Sequence, residues 1–132
     1  MTRPPGDPLF FLRNSAEIER VKRDGRRLQT PLFNLVSCPA KSLDLQPTRI
    51  GVIVGKRLGA AVARNRAKRI FRELARRCRP QLVAGRDVLI FPRREALTVR
   101  HAQLRTLWAE ALRREGLLKP EPDGLCDVSV SV

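Results

Sequence analysis

Apolar positions recur along this chain in two rhythms, and the switches between them mark its elements. In "RNSAEIERVKRDG" (13–25), Ile18 and Val21 share one helical face. Asn14 or Ser15 can cap the start, Asn14 and Glu17 have capping-box spacing, and Gly25 suits a C-terminal turn. The spacing predicts a short helix. "RLQTPLFNLVSCP" (27–39) changes to an extended rhythm, with Phe33 and Leu35 on one face and Leu32 and Val36 on the other. Pro31 divides this run and makes its first piece an edge or a bulge. "AKSLDLQP" (40–47) reads as a polar loop, and "TRIGVIVGK" (48–56), rich in β-branched residues, as a further strand. Two extended runs joined without a helix are expected to form an antiparallel pair.

After the glycine-bearing turn at Gly55–Gly59 the helical period returns. Ala63, Ala67, Ile70, Phe71, Leu74, Ala75 and Cys78 fall within an arc of about 140° on a helical wheel. Arg64, Lys68, Arg69, Arg72, Arg76 and Arg79 fill another arc of about the same width. This is an amphipathic helix with one apolar and one cationic face, stopped by Pro80. "GRDVLIFPRR" (85–94) is the next strand, so strand, helix and strand make a βαβ unit with those two strands parallel. "LTVRHAQLRTLWAEALRREG" (97–116) is the closing helix, on Leu104, Leu107, Trp108, Ala111 and Leu112. One domain is expected over 9–116, with helices packed on a single sheet. The Pro-rich start (1–8) and the tail (117–132, with Pro120, Pro122 and Gly124) are expected to be flexible.

Charge adds a partner to this picture. The 132 residues carry 27 Lys and Arg against 13 Asp and Glu, a net +14. Between Arg49 and Arg79 stand 11 basic residues and one acid, Glu73, leaving 16 and 12 for the rest of the chain. Such a focused patch concentrates a polyanion and steers its approach, and the excess of Arg over Lys favours bidentate phosphate contact. Nucleic acid is the first candidate and an anionic membrane surface the second. No apolar run approaches bilayer-spanning length, and Pro4, Pro5, Gly6, Asp7 and Pro8 interrupt any secretory apolar stretch, so no membrane role is expected. Cys38, Cys78 and Cys126 match neither a zinc pattern nor a disulfide framework and read as reduced thiols of a cytoplasmic protein.

Candidate chemistry is sparse. "GVIVGKR" (51–57) has three residues between its glycines where a P-loop has four, and Arg57 where the magnesium-binding hydroxyl belongs, so no nucleotide cofactor is expected. The only histidine, His101, stands alone, and no carboxylate pair has catalytic spacing, so no catalytic residue is expected in this chain. The cationic helix offers Arg and Lys with Asn65 as its lone amide, a set suited to phosphate backbones more than to base edges. A basic helix on a mixed sheet, with no helix-turn-helix or zinc site, points to RNA recognised by shape. Each phosphate contact should lower the slope of log affinity against log salt by about 0.7–0.9.

The stretch "RIGVIVGKRLGAAVARNRAKRIFRE" (49–73) resembles the signature of the bacterial ribonuclease P protein subunit: a strand, a basic turn with glycine, then Arg-Asn-Arg-x-Lys-Arg and a further Arg. Lys56, Arg57, Gly59, Arg64, Asn65, Arg66, Lys68, Arg69 and Arg72 carry the match, and the order of the flanking elements is similar over roughly residues 9 to 115. The resemblance implies an α+β sandwich, ribosomal-protein-like: a mixed four-stranded sheet in the order α-β-β-β-α-β-α, the extra strand near Arg27–Gln29. It also implies a left-handed βαβ crossover, the hand opposite to the general rule. For function it implies an accessory subunit whose RNA partner is the catalyst, cleaving the 5′ leader from precursor tRNA with Mg2+ held mainly by RNA and substrate. Whether this chain binds metal itself is left open.

By the same resemblance Lys56, Arg57, Arg64, Asn65, Arg66, Lys68, Arg69 and Arg72 contact ribonuclease P RNA. Ile18, Lys22, Phe33 and Val36 line a groove for the single-stranded leader, with ordinary core packing as the alternative for Ile18 and Val36. Of these four only Phe33 is aromatic, which limits base stacking worth about 1–3 kcal/mol per base. A ribosomal or architectural RNA-binding protein and a stand-alone nuclease are the rival readings.

Overall fold

The computed structural model describes residues 10–40 and 47–119. The expected flexible N-terminus (1–8), positions 41–46 of the expected loop, positions 120–132 of the expected tail and, with them, Cys126 lie outside the described residues. Along the chain come α1 (Ser15–Asp24), β1 (Arg26–Gln29), β2 (Phe33–Pro39), β3 (Arg49–Val52), α2 (Ala61–Cys78), β4 (Arg86–Pro92) and α3 (His101–Arg114). The four strands form one sheet in the order β1-β2-β4-β3. β1–β2 and β2–β4 are antiparallel, and β3–β4 is parallel as the βαβ pattern requires.

The expected antiparallel pairing of β2 with β3 is corrected: β4 lies between them. Val88, Leu89 and Ile90 of β4 are all fully buried, so this strand is covered on both faces as well as paired on both sides. β3 takes the edge. There the segment Phe10–Leu12 covers it, Leu12 N–H donating to Ile50 O at 2.9 Å and Ile50 N–H to Phe10 O at 2.8 Å. Gly51 permits this approach, since a Cβ there would lie 2.9 Å from Leu89 Cδ2 and 3.1 Å from Leu12 O.

The period of two along the strands separates two cores. Phe33, Leu35, Ile50, Val52, Val88 and Ile90 join α2 and α3 in the larger one. Its centre is aromatic, with Phe33 at 5.5 Å from Phe71 and 5.7 Å from Trp108 between ring centroids. Val36, Cys38 and Leu89 on the opposite face meet Leu12 and Val21 in a smaller core beneath α1. The result is the α+β sandwich on a mixed four-stranded sheet that the resemblance implied, with α1 on one face and α2 and α3 on the other. Both described cysteines are buried and free; burial pushes the Cys78 thiol up to about 12 and raises that of Cys38, which keeps both neutral.

At α1, Asn14 Oδ1 accepts from the N–H groups of Ala16 (2.9 Å) and Glu17 (3.2 Å), the cap its sequence promised. The reciprocal half of a capping box is not made, because the Glu17 carboxylate accepts instead from Arg49 Nη1 at 3.0 Å. Gly25 follows the helix with φ −80°, so it is present for space and not for a left-handed turn. A Cβ there would fall 2.4 Å from Val36 Cγ1 and 2.6 Å from Val21 O. Gly25→Ala is expected to destabilise the fold by about 1–3 kcal/mol, an overpacking cost measurable as a lower urea midpoint at unchanged m-value.

Residues 117–119, expected at the start of the tail, are packed on the domain. Leu117 is fully buried in the larger core, and Leu118 forms an isolated antiparallel bridge with Leu82. Lys119 N–H donates to Gln81 O at 2.7 Å. Leu117 buried and Leu118 partly buried past the end of α3 pack residues 117–119 onto the domain.

Under α1, the fully buried Asp87 of β4 receives Arg20 Nη2 at 2.6 Å on Oδ2, and Arg49 Nε and Nη2 at 3.1 Å each on its two oxygens. Arg49 also holds Glu17. The hydrogen bond to Asp87 raises the pKa of Arg49 against the burial that would lower it. This network fixes α1 to the sheet.

Candidate nucleic-acid interface

α2 can carry its charge because everything else in it favours a helix. Ala, Arg, Lys and Leu are strong helix formers, and Ala67, Phe71, Leu74, Ala75 and Cys78 bury one stripe against the sheet. No side chain caps its start and no acid stands in its first turn, so the positive end of the helix dipole adds to the field of the side chains.

On the outer face Asn65, Lys68, Arg69, Arg72 and Arg76 line a cleft of about 370 Å³. Among the described residues, none of Lys56, Arg57, Arg64, Arg66, Lys68, Arg69 and Arg72 pairs with a carboxylate. Glu73, the one acid of the segment, turns to Arg76 (3.4 Å) and Arg77 (3.6 Å). Burial first, then the charges of Arg13 and Arg76, lower the pKa of Arg72. Its Nε is buried with no hydrogen-bond partner. Cations this crowded and this poorly neutralised call for an external anion.

The eight residues expected to contact RNA do not form one row. Asn65, Lys68, Arg69 and Arg72 line the helical cleft. Arg64 is half-buried and donates from Nη1 to Gly59 O at 3.1 Å, bracing the turn before α2. Arg66 is exposed and lies about 200° around the helix from Arg64, off the row. Lys56 and Arg57, in the single helical turn Lys56–Leu58, line a second and larger cleft of about 760 Å³ with Asn34, Ile53, Phe91, Pro92, Arg93 and Arg94. Arg94 Nη2 reaches Arg57 O at 3.5 Å and ties the two turns together.

Two of the expected groove residues are corrected. Phe33 and Val36 stand three apart on one strand and so point to opposite faces. Phe33 is fully buried between Phe71 and Trp108, and Val36 is fully buried in the core beneath α1, so neither lines an open groove. Ile18 and Lys22 are half-buried on α1, with Lys22 Nζ 3.5 Å from Glu19. Ile18, Ile53 and Phe91 pack around the same small core as partly exposed groups. The open stretch of this face is made instead by Ile53, Phe91 and Asn34, whose Oδ1 is buried without a hydrogen-bond partner. Asn34 and Phe91 stand opposite each other in the β2–β4 register. The sequence did carry a signal for this cleft, an aromatic at a strand end followed directly by Pro92, Arg93 and Arg94.

A family model described as Ribonuclease P matches residues 9–116. The chain belongs to the ribonuclease P protein family. It is 36% identical over 120 residues to the ribonuclease P protein component of Roseiflexus sp. (strain RS-1), spanning 90% of this chain and 96% of that one. To the same component of Chloroflexus aurantiacus it is 37% identical over 114 residues, spanning 86% and 82%. The RNase P protein of Thermotoga maritima superposes with a TM-score of 0.69 at 25% identity, covering 79% of this chain and 96% of that structure. That of Staphylococcus aureus, at 24% identity and TM-score 0.73, shares the fold over 83% and 98%. As a ribonuclease P protein, the chain is a subunit of a tRNA-processing endoribonuclease and has ribonuclease P RNA as its partner. Among the described residues no helix is long and apolar enough to cross a membrane.

Proposed function

We propose that α2 and the Lys56–Leu58 turn dock on ribonuclease P RNA, and that the larger cleft holds the single-stranded 5′ leader of precursor tRNA. The protein thereby assists magnesium-dependent removal of the leader, with the catalytic groups in the RNA. The observation that carries this reading is the row Lys68, Arg69 and Arg72 on α2, none of which pairs with a described carboxylate, Glu73 turning instead to Arg76 and Arg77. In the larger cleft Phe91 supplies a ring for stacking, while Lys56, Arg57, Arg93 and Arg94 supply charge along the strand's path.

The chain's own groups suit binding more than bond cleavage. His101 is exposed in the first turn of α3. Among the described residues no three His, Cys, Asp or Glu side chains come together, and Glu17 and Asp87, which share Arg49, are both engaged by guanidinium groups. That donor set does not fit a resident magnesium ion, and the proposal leaves the metal with RNA and substrate.

Reconstitution tests the reading. The chain, ribonuclease P RNA and end-labelled precursor tRNA are mixed at low magnesium, and leader release is expected only when protein and RNA are both present. Cleavage by the chain alone would mark a nuclease, and RNA binding without any effect on cleavage an architectural protein. In the same assay Phe91→Ala is expected to weaken precursor tRNA about 5- to 100-fold while leaving mature tRNA unchanged, because only the precursor has a leader to stack. Equal losses for both would remove Phe91 from the leader path.

A further inference from the structure

An arginine cluster with few carboxylates beside it gains from another means of holding its side chains in place. Here the means is aromatic. The guanidinium carbons of Arg72 and Arg76 sit 5.8 and 5.3 Å from the ring centroid of Phe11, and that of Arg79 sits 4.7 Å from the ring centroid of Phe10. The two rings meet edge to face at 4.8 Å. Phe10 and Phe11 are buried in the larger core, and their backbone is held to the edge of β3. The seat is therefore rigid.

A carboxylate would hold a guanidinium by consuming its N–H donors. A ring face attracts the cation through its quadrupole and leaves the N–H edge free for an outside acceptor. Arg72 and Arg76 both line the cleft of about 370 Å³, with Asn65, Lys68 and Arg69. Arg76 has one further partner, Glu73, in an exposed pair one helical turn away, a contact of small worth.

We infer that Phe11 is a positioning residue for phosphate recognition: its ring seats Arg72 and Arg76 so that the cleft they line receives backbone phosphates of an RNA strand. The inference rests on the RNA-binding reading above and adds to it a residue outside the basic motif. Pre-seating also lowers the side-chain entropy that two arginines would otherwise lose on binding.

The test varies the quadrupole while keeping the shape. Phe11 is replaced by mono-, di- and trifluorophenylalanine, and separately by Leu, in the full-length chain. Affinity for ribonuclease P RNA is measured beside thermal unfolding. Affinity is expected to fall stepwise with fluorination, about 3- to 30-fold over the series, while the unfolding temperature holds. Phe11→Leu should lose as much, and adding Arg72→Gln and Arg76→Gln to either replacement should cost less than in the wild-type background. Affinity independent of fluorination would overturn the positioning role. A wild-type chain that does not bind the RNA would overturn the functional reading itself, so the two failures are distinct.

Discussion

Replacing Lys68 and Arg69 together by glutamate is expected to weaken binding to ribonuclease P RNA about 1,000-fold. Two unit charges 4 Å apart in water interact by about 1 kcal/mol, and reversal turns that attraction into a similar repulsion, about 2 kcal/mol per site. Two sites make about 4 kcal/mol, which is about three decades in affinity. Glutamine at both positions removes the attraction alone and should cost about half as much in free energy, near 30-fold. Loss of two phosphate contacts should also flatten the slope of log affinity against log salt by about 1.4–1.8.

The fold should survive these changes. Arg69 is exposed and Lys68 half-exposed, and neither pairs with a described acid. A carboxylate at position 68 stands one turn before Arg72 and one at 69 one turn before Glu73, so the new helix pairs offset each other. Affinity is read by filter binding and helix content by circular dichroism. Unchanged affinity with intact helicity would remove this face from the RNA interface.

Asp87→Ala is expected to cost the fold about 3–5 kcal/mol, the penalty for breaking a buried ion network by removing one partner. Asp87 is fully buried, and its loss leaves Arg20 and Arg49, 19% and 24% exposed, without the carboxylate they share. A domain of this size has about 5–15 kcal/mol of stability in all, so the effect should be plain in a urea melt. Removing the whole network should behave differently. Asp87→Leu combined with Arg20→Met, Arg49→Leu and Glu17→Gln leaves no uncompensated charge and is expected to match or exceed the wild type in stability. If Asp87→Ala melts within about 1 kcal/mol of the wild type, the network is not what fastens α1 to the sheet.

α2 was legible because its information is local. Its apolar stripe, its cations and its Pro80 stop all lie within a few turns, and helical geometry places them without knowledge of the rest of the fold. The cap at Asn14 was legible for the same reason. The interior place of β4 was not, because strand adjacency depends on contacts between distant segments. Asp87 was missed likewise. In "GRDVLIFP" it reads as a polar strand start, and its arginines stand 67 and 38 residues away. Phe33 and Phe91 are both strand aromatics in the sequence; the fold buries one against Phe71 and Trp108 and leaves the other half-open in a cleft.

By itself the sequence determined the helix that bears the charge, the sign of its partner and the family, all properties of one contiguous stretch. Only the tertiary structure decided which side chains stay open to that partner. A strand shows its two faces by parity, but which is covered, and how far along, depends on where α1 ends and on what packs beneath it. That is why the cleft passes from Phe33 and Val36 to Asn34, Ile53 and Phe91, and why Phe10 and Phe11, unremarkable in the sequence, come to lie under the arginines of α2.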